Sequence, residues 1–87
     1  MVSRQYIIQD EMGLHARSVS LIARLALSFP QTRITVTCYE RTTQATHLTA
    51  MMAMLVKQGD QITITVDGGD EKKIADTILN TLKEKRV

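Results

Sequence analysis

Two short segments alternate so strictly that they leave this chain few folds to choose from. In Ile34-Thr35-Val36-Thr37-Cys38 and in Ile62-Thr63-Ile64-Thr65-Val66, apolar and hydroxyl side chains exchange at nearly every residue. Successive side chains of a strand point to opposite faces, so each segment predicts a strand with one apolar and one polar side. A sheet built from such strands must cover one side and can leave the other in water. A further stretch, Tyr6-Ile7-Ile8 within residues 4 to 10, predicts a first strand closed by the polar turn Asp10-Glu11-Met12-Gly13. A weaker strand at about residues 42 to 46 returns as a hairpin partner.

Between these strands the apolar period lengthens. From Ser18 onward, Val19, Ile22, Leu25, Ala26 and Phe29 recur at spacings of three and four, the signature of a helix with one apolar stripe, and Pro30 prevents its continuation. Leu48 to Val56 reads as a short, almost wholly apolar helix ended by Lys57-Gln58-Gly59, with Gly59 as its C-terminal cap. Asp67-Gly68-Gly69-Asp70 turns the chain into a last helix with Ile74, Ala75, Ile78, Leu79 and Leu82 on one side. Asp67, Asp70 and Glu71 serve that turn and the negative charge favoured at a helix start. The order is βαββαβα. One apolar face per strand and one stripe per helix predict an α+β open-faced sandwich: a four-stranded antiparallel sheet with three helices on one face, a single domain over residues 1–87.

Composition removes several function classes. The formal charge is +2, yet the eleven Lys and Arg are dispersed apart from Lys83 to Arg86, which reads as a solvated helix end. One Phe, two Tyr and no Trp leave little to stack on bases, so no nucleic acid is expected. Two His and one Cys show no metal-ligand spacing, and no glycine-rich loop points to a nucleotide; neither metal nor cofactor is expected. Cys38 shares the parity of Ile34 and Val36 and reads as a small buried hydrophobe. A lone cysteine forms no internal disulfide, and no long apolar run follows the start, so a cytoplasmic protein without membrane insertion is expected.

The chemistry-bearing segment is Gly13-Leu14-His15-Ala16-Arg17-Ser18, at the expected start of the first helix. The first amides of a helix have no internal carbonyl partners, and the macrodipole puts roughly half a positive charge there. Arg17 adds a planar fork of donors suited to phosphate oxygens. His15 adds a nitrogen nucleophile; which ring nitrogen would react is not decided by spacing. The amide of Ala16 and the amide and hydroxyl of Ser18 complete the candidate anion site. A plain surface or capping histidine is the competing reading. The second candidate feature is the apolar run Leu48, Met51, Met52, Met54, Leu55, of which a short helix can bury only one stripe. A core helix and a partner surface both remain open for it.

On the segment Gly13 to Ser18, with Gly59-Asp60-Gln61-Ile62-Thr63-Ile64 and Gly68-Gly69-Asp70-Glu71 near the end, the chain resembles the HPr family over essentially its whole length. These are the histidine phosphocarriers of the bacterial phosphoenolpyruvate-dependent sugar phosphotransferase system. The resemblance implies that His15 takes a phosphoryl group from enzyme I and passes it to enzyme IIA proteins, with Arg17 steadying the phosphate. It implies a carrier in a relay and not a stand-alone catalyst. It places Leu48, Thr49 and Met52 on the partner-docking surface. The sequence also departs from the family pattern. Ser18 replaces the usual proline, Ala50 a usual glycine, and the hairpin at Tyr39-Glu40-Arg41 lacks its glycine. His47, flanked by Thr46 and Thr49, stands at the position of the regulatory serine, so no serine-controlled switch is expected. These departures motivate an alternative, an HPr-like regulator that docks a partner protein without sugar-linked transfer.

Overall fold

The computed structural model describes residues 1–87. Its elements are β1 (Val2–Ile7), α1 (Ala16–Leu27), β2 (Arg33–Cys38), β3 (Arg41–Gln44), α2 (Leu48–Ala53), β4 (Gln61–Asp67) and α3 (Glu71–Glu84). The four strands form one antiparallel sheet in the order β1-β4-β2-β3, and the helices cover one face, the expected open-faced sandwich.

Register explains why the alternation was so informative. Val36 pairs with Ile64, Cys38 with Ile62 and Ile34 with Val66, so the apolar sides of β2 and β4 line up. Tyr6 of β1 pairs with Ile62 and joins the same layer. All seven of these side chains are buried against Val19, Ile22, Ala23 and Ala26 of α1 and Ile74, Ala75, Ile78 and Leu82 of α3. The opposite face carries rows of hydroxyls, where Ser3 and Thr65 lie 3.1 Å apart and Thr37 and Thr42 2.9 Å apart.

Four boundaries differ from the sequence reading. Helix α1 ends at Leu27 with Ser28 as C-cap, so Phe29, counted in its apolar stripe, lies just past it. The first strand spans Val2–Ile7 and not residues 4 to 10. Beyond it the backbone leaves the sheet edge for other partners: the amide of Ile8 donates to Asp60 O, and those of Gln9 and Asp10 to Val87 O. The third strand sits one to two residues earlier, at Arg41–Gln44, because the hairpin connection is tight. Tyr39 adopts φ 56° in that connection, a left-handed conformation usually left to glycine, and its hydroxyl donates to Asp60 Oδ1 at 2.8 Å. The second helix stops at Ala53 with Met54 as C-cap, and Leu55, at φ 55°, turns the chain away. Gly59 therefore caps no helix; its amide donates to Ile8 O in the approach to β4.

These bonds converge on the connection between β1 and α1. Leu14 N–H donates to Val56 O at 3.1 Å, and Gly13 N–H to Asp10 O at 2.8 Å. Val87, buried at the end of the chain, accepts from Gln9 at 2.7 Å and from Asp10 at 3.2 Å. The loop carrying the candidate site is thus fastened on two sides by segments distant in sequence.

Candidate functional site

Gly13 takes φ 67°, and a Cβ there would collide with the carbonyl oxygen of Val56. That close approach sets the entry of the chain into α1. His15 follows as the N-cap, extended at φ −129° and ψ −178°, and its side chain makes no capping bond. The imidazole instead turns back over the loop, where Nε2 lies 3.0 Å from Oδ2 of Asp10. The amides of Ala16, Arg17 and Ser18 open a helix with no acidic residue in its first turn, so its positive end is not cancelled from within.

Asp10 is the residue that sequence reasoning missed. Its Oδ1 accepts from the amide of Met12 at 2.9 Å, forming a turn held by its own side chain. Its Oδ2 faces both His15 and Arg17, the latter at 3.5 Å through Nη2. The hydrogen bond from His15, and after it the Met12 amide, hold the Asp10 carboxyl below the usual carboxylate range. A pairing five residues apart across a glycine turn follows neither the helical nor the strand period, so no pattern in the sequence announced it.

The other expected site residues separate into two groups. Ala16 is exposed, and the Arg17 side chain keeps 69% of its surface in solvent, its only polar contact the 3.5 Å approach to Asp10. Ser18, in contrast, is 2% exposed and its Oγ is buried without a partner. The expectation that its hydroxyl faces the anion site is therefore corrected: at i, i+4 and i+8, Ser18, Ile22 and Ala26 share the stripe turned into the core. Only the amide of Ser18 is left for a ligand at the helix end.

His15 itself is not in a cleft, and its side chain is 22% exposed. The neighbouring concavity, about 340 Å³, is lined by Arg17, Ser18, Leu21, Arg24, Lys85 and Val87. On α2, Met51 is fully buried, whereas Leu48 and Met52 are 43% and 44% exposed and Thr49 is also exposed. The apolar run thus divides between core and surface. Helix α2 packs against α1, which puts these exposed groups on the element beside the one His15 begins. His47, the N-cap of α2, makes no capping bond. Burial pushes the thiol of Cys38 up, in keeping with a core side chain and not a nucleophile.

Comparison with known proteins agrees with this architecture. Residues 2–84 match the family described as "PTS HPr component phosphorylation site". The phosphocarrier protein HPr of Mycoplasma capricolum subsp. capricolum is 37% identical over 76 residues, which cover 87% of this chain and 84% of that protein. That of Lysinibacillus sphaericus is 30% identical over 97% of this chain and 94% of its own length. Among solved structures, a mycoplasmal histidine-containing phosphocarrier protein superposes with a TM-score of 0.90 at 33% identity, covering 98% of this chain and 96% of the other. HPr from Thermoanaerobacter tengcongensis does so at 0.85 and 28% identity, over 99% and 94%. No helix is long and apolar enough to cross a membrane. A histidine at an uncancelled helix start, on this sheet and with these relatives, leads to one assignment: the chain belongs to the HPr family of phosphotransferase-system phosphocarriers.

Proposed function

We propose that this protein accepts a phosphoryl group on His15 from phosphorylated enzyme I and passes it to enzyme IIA proteins in sugar uptake. The observation that carries the reading is the placement of the imidazole at the head of α1 with one ring nitrogen engaged and the other free. With Nε2 donating to Asp10, the lone pair belongs to Nδ1. This nitrogen attacks phosphorus; the N–P bond forms as the bond from phosphorus to the donor breaks, and the electron pair leaves with the donor.

The equatorial oxygens then meet the unpaired amides of the first helical turn, and the loosely held Arg17 fork turns towards them. A carrier must release what it binds. Excessive stabilisation of the phosphohistidine would lower its transfer potential, and an open site without a surrounding pocket suits repeated exchange. Leu48, Thr49 and Met52 form the neighbouring docking surface, where exposed methionine adapts to donor and acceptor in turn.

Incubation with enzyme I and phosphoenolpyruvate tests the reading. One phosphoryl group per chain is expected at His15, and none in His15→Ala. Undiminished labelling of that variant overturns the assignment; a wild-type chain that takes up no phosphoryl group supports instead a regulator acting by docking alone.

A further inference from the structure

We infer that Asp10 is a positioning residue for transfer at His15: its carboxylate holds the imidazole in the tautomer that leaves Nδ1 bare, and it faces the charge the ring gains when the N–P bond forms. The inference rests on the reading of His15 as the phosphoryl acceptor.

The carboxylate is built into its place. Its backbone amide donates to Val87 O, its carbonyl accepts from Gly13, and Oδ1 accepts from Met12 at 2.9 Å, which leaves Oδ2 directed at Nε2 of His15 at 3.0 Å. Only 15% of the Asp10 side-chain surface meets solvent, so water competes weakly for that oxygen. His15 has no competing tie, since its imidazole makes no bond to the helix it precedes. An ionised carboxylate has no proton to give; the hydrogen between the two groups must sit on Nε2. The low carboxyl pKa of Asp10 agrees with that assignment.

The bookkeeping of protons and electrons then becomes simple. The form of the ring that reacts carries its one proton on Nε2 and leaves Nδ1 bare. As the Nδ1 lone pair forms the bond to phosphorus and the donor departs with its electron pair, the ring becomes cationic with its Nε2 proton still directed at Oδ2. In onward transfer the N–P pair returns to Nδ1 and the ring is neutral again. No proton moves in either direction. A carboxylate opposite Nε2 therefore favours the charged ring without touching the phosphoryl group, and it also gives Arg17 a place to rest until an oxyanion arrives.

The test uses the full chain labelled with ¹⁵N in its histidines. Asp10→Asn keeps an oxygen for the Met12 amide but presents an amide nitrogen to Nε2; Asp10→Ala removes both contacts. Above about pH 8, where an ordinary imidazole is neutral, the wild-type His15 should show one strongly protonated and one bare nitrogen resonance. In both variants the two should move towards each other as tautomers mix. Phosphorylation by enzyme I and phosphoenolpyruvate should slow about 10- to 100-fold, the range for one lost charge-assisted hydrogen bond. Backbone amide spectra check that the variants remain folded, and His47 serves as an internal control whose resonances stay in place. Unmoved His15 resonances, or moved resonances with an unchanged rate, overturn the role of Asp10 while leaving the carrier assignment standing. A wild-type chain that is not labelled at His15 overturns both.

Discussion

At position 18 the chain carries a hydroxyl into its core. Ser18 is 2% exposed and its Oγ has no partner, in a setting where a buried unsatisfied polar group costs about 1–3 kcal/mol. Replacement by alanine removes that group, leaves only a hydroxyl-sized space and gains helix propensity. Ser18→Ala is therefore expected to stabilise the protein by about 1 kcal/mol, a rise in Tm of about 4–8 °C for a domain of this size, measurable by thermal melting. No rise, or a fall, would mean that the hydroxyl has a partner. The spacing from Ser18 to Ile22 and Ala26 already held the signal for burial. Closeness to His15 along the chain does not place the hydroxyl beside it, because the helical period sets the face a side chain takes. Asp10 is the opposite case, a surface-type residue whose importance depends on a turn that brings it to His15 and on nothing periodic.

Among elements, the two helices that face each other were unequally legible. The stripe in α1 runs up to a proline, so its face could be read and its end approximately, although Phe29, counted in the stripe, lies past the helix, which stops at Leu27. In α2 the apolar run continues without interruption to Val56, while the helix stops at Ala53 because Leu55 takes a left-handed conformation with no glycine to mark it. Burial divides the run too: Met51 goes inward, and Leu48, Met52 and Leu55 stay at the surface. The approach of α1 to the loop after α2 depends on Gly13, whose positive φ and contact with the Val56 carbonyl both exclude a side chain. Gly13→Ala should cost more than about 2 kcal/mol, the sum of left-handed strain and a backbone collision that only movement of the loop can relieve. Urea unfolding would show it as a lower midpoint at unchanged slope. A midpoint equal to wild type would show that the loop yields freely.

Over the whole molecule, the sheet and its covered face followed from parity alone, because the strands with threonine on one side are the two that pair at the centre, β4 and β2. The ties that close the structure did not, since they join residues far apart through backbone groups or single polar side chains. Polar contacts, some local and some distant, hold three carboxyls below their ordinary range: Asp10 through His15, Asp60 through the Lys57 amide and then Tyr39, and Glu71 through the Gly68 amide and then the N-terminal ammonium. A carboxyl whose folded-state pKa is depressed contributes stability above its unfolded value and loses it as pH falls through the folded one. Reference values of 3.8 for the aspartates and 4.5 for Glu71 put the onset there. The melting temperature should thus be flat just above that range and fall steadily below it, and Asp60→Asn should make the fall shallower. An identical acid slope in that variant would remove the contacts of Asp60 with Lys57 and Tyr39 from the account.

Val87 lies far along the sequence from the loop it fastens, with its side chain buried and its backbone oxygen shared by Gln9 and Asp10. Fraying of the last turn of α3 would therefore reach the carboxylate that faces the imidazole while the sheet and the other helices were still in place. Reactivity and the integrity of the chain's tail become one property, and whatever disturbs the second retunes the first.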